Sequence, residues 1–335
     1  MKTLTCFVLC LSAAAAADNP YRVIGHYQVG GEGGWDYITL DSAARRLYLS
    51  HGTQVDVIDA DSGKRIGVIP DTPGVHGIAI AASSKHGFTT NGRENKVSVF
   101  DPETLALIKK IDVGKGPDGI YYHAGTNRVF TCNHGSDDIT AIDAAKAEVA
   151  GTVKVEGAGE AMVTAKDGLI YVNLEDKGEV VAFDPNTLEV KRRLPIKVAG
   201  TPTGLAYDAK TNRLFIGCRE KPLMVVMDAT SGNVVASSPI GAGVDWASFD
   251  PGEKLVFTSS GDGTLGVFRQ KSADEYEDLG AVKTQTGAKT MAFDPNTKKI
   301  FLPTAEVVVT PPSDPSQRPK RTVKPDTFGV VVVGR

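Results

Sequence analysis

Cysteine is scarce in this 335-residue chain, which contains four, two of them among the first ten residues. The other two, Cys132 and Cys218, lie far apart, and no CxxC or mixed Cys/His spacing typical of a zinc site is present. The sequence therefore excludes a disulfide framework. We predict that both cysteines are buried free thiols.

An excess of charge of one sign is also missing. The formal net charge is −3 and the pI is about 6.1, so the whole molecule exerts no general attraction on nucleic acid or anionic membranes.

Catalytic signatures are missing as well: there is no GxSxG elbow, HExxH, P-loop or dinucleotide fingerprint. No reaction class follows from a motif.

The N-terminus carries the only prominent apolar run. Lys2 precedes the apolar stretch Leu4 to Leu11, and the small residues Ala15 to Ala17 follow it, which is the pattern of a secretory signal peptide. The run is shorter than the roughly 20 residues that a membrane span requires. We predict a signal peptide at 1–17, a mature periplasmic or secreted protein at 18–335, and no membrane span after cleavage.

A repeated pattern fills the rest of the chain. An aromatic residue within a short β-like run recurs seven times at intervals of 40 to 44 residues; these aromatics are Tyr48, Phe88, Phe130, Tyr171, Phe215, Phe257 and Phe301. Around each one, β-branched and aromatic runs alternate with Asn, Asp, Gly and Pro turns, giving four strands per period. This period is typical of a propeller blade.

We therefore predict an all-β fold, a seven-bladed β-propeller of four-stranded antiparallel blades forming a single domain. The last repeat contains a Pro-rich basic insertion at 310–326, with Arg318, Lys320, Arg321 and Lys324, which we predict to be a flexible loop. That repeat also lacks one strand. The segment Tyr21 to Val29 is expected to supply it, closing the ring and removing open sheet edges.

Two repeats carry a family resemblance. Phe88-Thr89-Thr90-Asn91 and Tyr171-Val172-Asn173-Leu174, with the continuation from Asn91 to Asp101, resemble the signature of the YVTN-repeat propellers, in particular the exported YncE-like proteins. The resemblance implies a seven-bladed propeller and brings no catalytic motif; single-stranded DNA binding occurs within that group. The sequence departs from the signature in blade one, in blades four to seven and in the insertion.

The candidate site follows from the repeat. Eleven or twelve residues before each aromatic, where the innermost strand begins, every blade has a polar residue: Asp36, His76, Asp118, Glu160, Thr203, Asp245 and Lys289. Such a ring at the channel mouth suits a divalent cation or a cationic ligand, and crowded carboxylates raise one another's pKa values. The alternative is that these polar groups only satisfy turn backbones in a water-filled channel.

Two further groups of residues extend this hypothesis. Trp35 and Trp246 adjoin Asp36 and Asp245, and they are either flat apolar walls of the site or packing between blades. His51, His76 and His134 come from blades one to three and are candidate metal ligands, although they lack local ligand spacing.

Three functions remain open from the sequence. The first is a non-enzymatic protein that binds a small molecule or another protein of unknown identity through the channel-mouth face. The second is a metal-assisted lactonase or hydrolase, or a quinone-type oxidoreductase, centred on the carboxylate ring. The third is single-stranded nucleic-acid binding, with the basic insertion as the electrostatic contact and the tryptophans as stacking platforms.

Overall fold

The chain forms a ring of seven four-stranded antiparallel sheets. The computed structural model describes residues 19–310, 312 and 320–335, and the predicted signal peptide lies outside the described residues. The only helical element among them is a 3₁₀ turn at Ala82–Ser84. The predicted all-β, seven-bladed propeller is confirmed. In the part of the chain that the structure describes, no helix is both long and apolar enough to cross a membrane.

The strands follow the repeats closely. The chain begins with β1 (Arg22–Gln28). Blade one contains β2 (Trp35–Asp41), β3 (Arg46–His51), β4 (Gln54–Asp59) and β5 (Arg65–Ile69). Blade two contains β6 (Val75–Ala81), β7 (His86–Asn91), β8 (Lys96–Phe100) and β9 (Leu107–Asp112). Blade three contains β10 (Pro117–His123), β11 (Arg128–Asn133), β12 (Asp138–Asp143) and β13 (Glu148–Val153).

The remaining blades repeat the arrangement. Blade four contains β14 (Gly159–Thr164), β15 (Ile170–Leu174), β16 (Glu179–Phe183) and β17 (Val190–Pro195). Blade five contains β18 (Pro202–Asp208), β19 (Arg213–Cys218), β20 (Leu223–Asp228) and β21 (Val234–Pro239). Blade six contains β22 (Val244–Asp250), β23 (Leu255–Ser260), β24 (Thr264–Gln270) and β25 (Tyr276–Lys283). Blade seven contains β26 (Ala292–Phe293), β27 (Ile300–Thr304) and β30 (Gly329–Gly334), and its insertion adds β28 (Val307–Thr310) and β29 (Lys320–Val323).

The two ends of the chain close the ring. Strand β1 pairs antiparallel with β30 from Arg22 opposite Gly334 to Gln28 opposite Gly329. It is the outermost strand of blade seven, in the order β1-β30-β27-β26. The predicted closure is confirmed, and β30 is covered on both sides instead of presenting a free edge.

The repeating aromatics are the centres of the core. All seven lie in the second strand of their blades and are fully buried. Several pack on an aromatic residue of the next blade: the ring centroids of Tyr48 and Phe100 are 5.9 Å apart, and those of Phe130 and Phe183 are 5.4 Å apart. The period of the sequence is therefore the period of inter-blade packing, which is where the apolar surface is buried.

The predictions for the cysteines and for the insertion of blade seven have different outcomes. Cys132 and Cys218 are buried free thiols, as predicted. The insertion is not a loop throughout, because β28 and β29 pair from Val307 opposite Val323 to Thr310 opposite Lys320. The prediction of a loop over 310–326 is therefore wrong at 320–323, where β-branched residues find a partner strand in the valines at 307–309. Arg318 lies outside the described residues.

Candidate functional site

Six of the seven predicted positions lie in β-bulges at the mouth of the channel. The pairing of the first two strands shifts register in each of the first six blades, between Trp35 and Ile38 in blade one and at the equivalent positions in the others. The residues in or beside these shifts are Asp36, His76, Asp118, Glu160, Thr203 and Asp245. A β-bulge changes the direction in which a side chain leaves the strand. The same bulge recurs in these six blades and places their polar side chains at the channel mouth.

Small residues behind the bulges let the blades approach one another. A Cβ added to Gly119 would lie 2.2 Å from the carbonyl oxygen of Glu160, and one added to Gly204 would lie 2.5 Å from the backbone of Trp246. No side chain fits at these positions without moving the neighbouring blade. The glycines therefore determine how closely the polar positions of adjacent blades meet.

The centre of the site is Asp118. Its Oδ1 lies 3.7 Å from Nδ1 of His76, and its Oδ2 lies 3.8 Å from Nδ1 of His134. His76 Nδ1 is also 2.7 Å from Asp36 Oδ2, and His134 Nε2 is 3.2 Å from Glu160 Oε2. Asp118 Oδ1 is shielded from solvent and has no hydrogen-bond partner among the described residues.

This arrangement contains two groups of potential metal ligands. Asp36, His76 and Asp118 form one, and Asp118, His134 and Glu160 form the other; within each, the donor atoms lie within 4.8 Å of one another. Imidazole nitrogen together with carboxylate oxygen is a donor set that suits zinc and other divalent first-row metals. Asp118 belongs to both groups and offers one oxygen to each.

The electrostatics of this cluster are strongly perturbed. Burial, followed by the negative charge of Glu160, raises the pKa of Asp118 to about 7. Burial opposes protonation of His134, yet its hydrogen bond to Glu160 and the charge of Asp118 raise its pKa to about 9. His76 behaves alike: its pKa is raised by Asp36 and Asp118 against the effect of burial. At neutral pH the cluster therefore keeps His134 protonated, and it favours the protonated form of His76.

Asp36 responds in the opposite direction. Burial alone would raise its pKa, but the hydrogen bond with His76 and the charge of Lys289 lower it to about 2. Lys289 Nζ is 2.9 Å from Asp36 Oδ1 and also contacts Asp245. Asp245 is buried and pairs with Arg219, which lies 2.7 Å from Glu175. This side of the mouth is therefore neutralised by basic side chains.

A tyrosine closes the channel below the cluster. Tyr37 from blade one is buried, and its hydroxyl donates to Glu160 Oε1 of blade four at 2.6 Å. Trp246 packs edge-on against Tyr37, with ring centroids 5.5 Å apart. Below these residues, a cavity of about 520 Å³ opens towards the other face of the propeller, lined by strand ends that include Phe249 and Phe293. The mouth is thus a cup with a floor.

The predicted site residues therefore separate into three kinds. Asp36, His76, Asp118 and Glu160 come together, whereas Asp245 and Lys289 form the neighbouring ion network. Thr203 is buried and donates to the carbonyl oxygen of Val244 at 2.9 Å, so it holds blades five and six together rather than taking part in the charged cluster.

Trp35, Trp246 and His51 do not all lie at the mouth of the channel. Trp35 is partly exposed at the mouth and lines cavities there, whereas Trp246 faces the channel below the floor. Of the two alternatives left by the sequence, Trp246 matches packing between blades, since it contacts Tyr37 of blade one and the core clusters beside it. The three-histidine hypothesis is wrong for His51, because its Nδ1 lies 2.7 Å from Asp56 and its ring packs on Phe328 at 4.2 Å.

Sequence reasoning missed Tyr37. This residue follows Asp36 directly, and only the folded ring shows that it reaches Glu160 across the channel. His134 was already a candidate from the sequence, and Arg219 stands at the equivalent place, because both follow the aromatic of their repeat, Phe130 or Phe215, by four residues.

These features define a closed seven-bladed propeller with a charged, bulge-presented cup at one mouth. The sequence matches the family model described as a domain of unknown function (DUF5074) over residues 43–238, more than half of the chain, and the protein belongs to this family. No curated protein matches the sequence. Among solved structures, a chain of Kuenenia stuttgartiensis hydrazine synthase is similar, with a TM-score of 0.72 and 16% identity over 81% of this chain and 92% of that chain. At this identity the similarity shows the fold alone.

Proposed function

We propose that this protein is an exported binding protein, similar to the YncE-like propellers, whose channel-mouth cup holds a divalent metal ion. The observation that carries the proposal is the position of Asp118 between two imidazoles, each of which also reaches a second carboxylate. Zinc binds nitrogen and oxygen at about 2.0 to 2.2 Å, so two donors on one ion lie up to about 4.2 Å apart. In the first group a single nitrogen, His76 Nδ1, lies 2.7 Å from Asp36 Oδ2 and 3.7 Å from Asp118 Oδ1, so both separations are within this range. In the second group His134 turns Nδ1 to Asp118 and Nε2 to Glu160, so each of its nitrogens could share an ion with one of these carboxylates.

Charge balance also supports the proposal. The proton on His134, whose pKa is about 9, now offsets part of the negative charge of the carboxylates, and a bound divalent cation would take over this role. Metal ligation requires neutral imidazole and ionised carboxylate. When bound, such an ion would supply a Lewis-acidic centre at the cup.

Metal analysis and calorimetry test this proposal directly. Purified protein is expected to take up Zn²⁺ after treatment with a chelator, at a stoichiometry of one or two because Asp118 serves both ligand groups. Asp118→Asn should lose most of the uptake, and His134→Gln should lose the ion of the group that contains it. His123→Gln is the matched control, since His123 lies at the far end of β10 and its Nδ1 contacts Thr126. Equal zinc uptake by wild type and Asp118→Asn would refute the proposal.

Export is a separate part of the proposal and has its own test. N-terminal sequencing of the protein recovered from the periplasm or medium of a bacterial host is expected to give a chain beginning near Asp18. Recovery of the full-length chain from the cytoplasm alone would contradict export.

One observation favours a second function, a metal-assisted hydrolase. An ion held by the imidazole and carboxylate groups of the cluster would supply a Lewis acid able to polarise a water molecule or a lactone carbonyl. Zinc-loaded protein that hydrolyses a simple lactone, with the activity lost in Asp118→Asn, would favour this function over binding alone. The nucleic-acid hypothesis gains no comparable support, because Trp246 is below the floor and Lys324 is paired with Glu306 at 2.8 Å.

A further inference from the structure

Beside the proposed metal cluster, the mouth contains a fixed aromatic surface. The Nε1 of Trp35 donates to the carbonyl oxygen of Gly287 at 3.3 Å, and the indole packs against Phe328 with centroids 6.2 Å apart. These two contacts hold the orientation of a side chain that remains partly exposed. A large aromatic residue at a wet surface, oriented in this way, is a preferred element of binding sites.

The free side of Trp35 borders a small apolar cavity. This cavity has a volume of about 250 Å³ and is lined by Gly34, Trp35, Gly287, Lys289, Val307 and Val323. The two valines belong to the paired strands β28 and β29, so the insertion of blade seven forms one wall. An apolar cavity of about 150 Å³ holds a benzene molecule, and the space beside Trp35 is therefore sufficient for one flat ring.

Glycine keeps the indole uncovered. A Cβ on Gly287 would lie 3.0 Å from Cζ2 of Trp35, and the residue has φ +92, which disfavours any side chain. A Cβ on Gly34 would meet no atom of the described residues within 4 Å, so a side chain there would occupy space bordering the cavity. Both positions leave open a volume that ordinary residues would fill.

One basic side chain of the mouth is available to an anion. The apolar cavity shares Gly34, Trp35 and Lys289 with a larger one of about 480 Å³, which also contains Asp36, His76 and Arg93. Lys289 is already paired with Asp36 and Asp245, and His76 with Asp36, whereas the exposed Arg93 forms no ion pair among the described residues. A carboxylate entering here would therefore find its cation in Arg93.

From these features we propose that the cavity beside Trp35 is a subsite for a small carboxylate whose apolar part is a single flat ring. The ring lies against Trp35, Val307 and Val323, and the carboxylate points into the adjoining cavity towards Arg93. This inference rests on the proposed ligand-binding role of the mouth and names the class of organic ligand that shares it.

The test uses three matched probes: benzoate, acetate and benzylamine. Binding is measured by calorimetry on the wild type, with and without zinc, and by fluorescence on Trp246→Phe, in which Trp35 is the only tryptophan. Benzoate is expected to bind and to change the Trp35 emission, acetate to bind at least ten-fold more weakly, and benzylamine not to saturate. Equal affinities for benzoate and acetate, or no binding of benzoate, would overturn the inference.

A cavity-filling variant locates the binding. Gly34→Val should weaken benzoate binding at least ten-fold while zinc uptake and the melting temperature stay unchanged. Gly25→Val is the control, because a Cβ added to Gly25 also meets no described atom within 4 Å and Gly25 lies on the outer strand β1. Unchanged benzoate affinity in Gly34→Val refutes the subsite. Benzoate binding that follows the predicted pattern in protein that takes up no zinc would reject the metal proposal and leave the subsite standing.

Discussion

Replacing Asp118 by asparagine should stabilise the protein above neutral pH and at the same time abolish metal binding. The folded pKa of Asp118 is about 7 against an ordinary value of 3.8, so the folded state disfavours the ionised form. The corresponding loss of wild-type stability begins as the pH rises above about 4 and is complete above about 7. Asparagine, which has the shape of the neutral acid, avoids this loss.

The size of the stability difference between Asp118→Asn and the wild type follows from the raised pKa of Asp118. A difference of about three pKa units corresponds to roughly 4 kcal/mol, and contact with water at the cup reduces this to roughly 2 to 4 kcal/mol. We therefore expect Asp118→Asn to exceed the wild-type free energy of unfolding by about this amount at pH 8. The advantage should shrink to about 1 to 2 kcal/mol at pH 5.

Urea denaturation at pH 5 and pH 8, in the presence of a chelator, measures this difference. Asp208→Asn is the control of opposite sign: Asp208 is also buried, but its bonds to Thr211 and Gln270 lower its pKa against the effect of burial, so its loss should destabilise. A less stable Asp118→Asn at pH 8 would refute the reasoning. A more stable variant that no longer takes up zinc would show that the wild type retains a costly charge for binding.

Three other outcomes are expected. Tyr37→Phe removes the hydroxyl that orients Glu160, and calorimetry should show zinc affinity about ten-fold weaker with little change in melting temperature; unchanged affinity would contradict this role. Zinc affinity in the wild type should fall as the pH is lowered from 9 to 6, because the raised pKa values of His134 and His76 make protons compete with the metal; a flat profile would argue against histidine ligands. A chain lacking residues 19–29 should unfold at lower temperature and aggregate, since β30 becomes an open edge, and size-exclusion chromatography that shows an unchanged monomer would contradict closure by β1.

The cluster explains why a site can be hidden in a sequence without motifs. Each blade contributes one polar side chain at one position, about 40 residues from the next, so no local spacing carries a ligand signature. Counting back from the buried aromatics still located Asp36, His76, Asp118 and Glu160, because the bulge recurs at the same distance from the core position in each blade.

The number of blades, the strand order and the closure by the N-terminal segment were set by the sequence itself, since repeated apolar runs and turn residues have one compact arrangement that buries the aromatics and leaves few edges. Which polar groups meet was decided by tertiary structure. The distance across the ring depends on how closely neighbouring blades pack at residues such as Gly119, and the direction of each side chain depends on its bulge. For this reason Tyr37 reaches Glu160 across the channel, His51 is held by Asp56, and Thr203 serves the backbone of its neighbour.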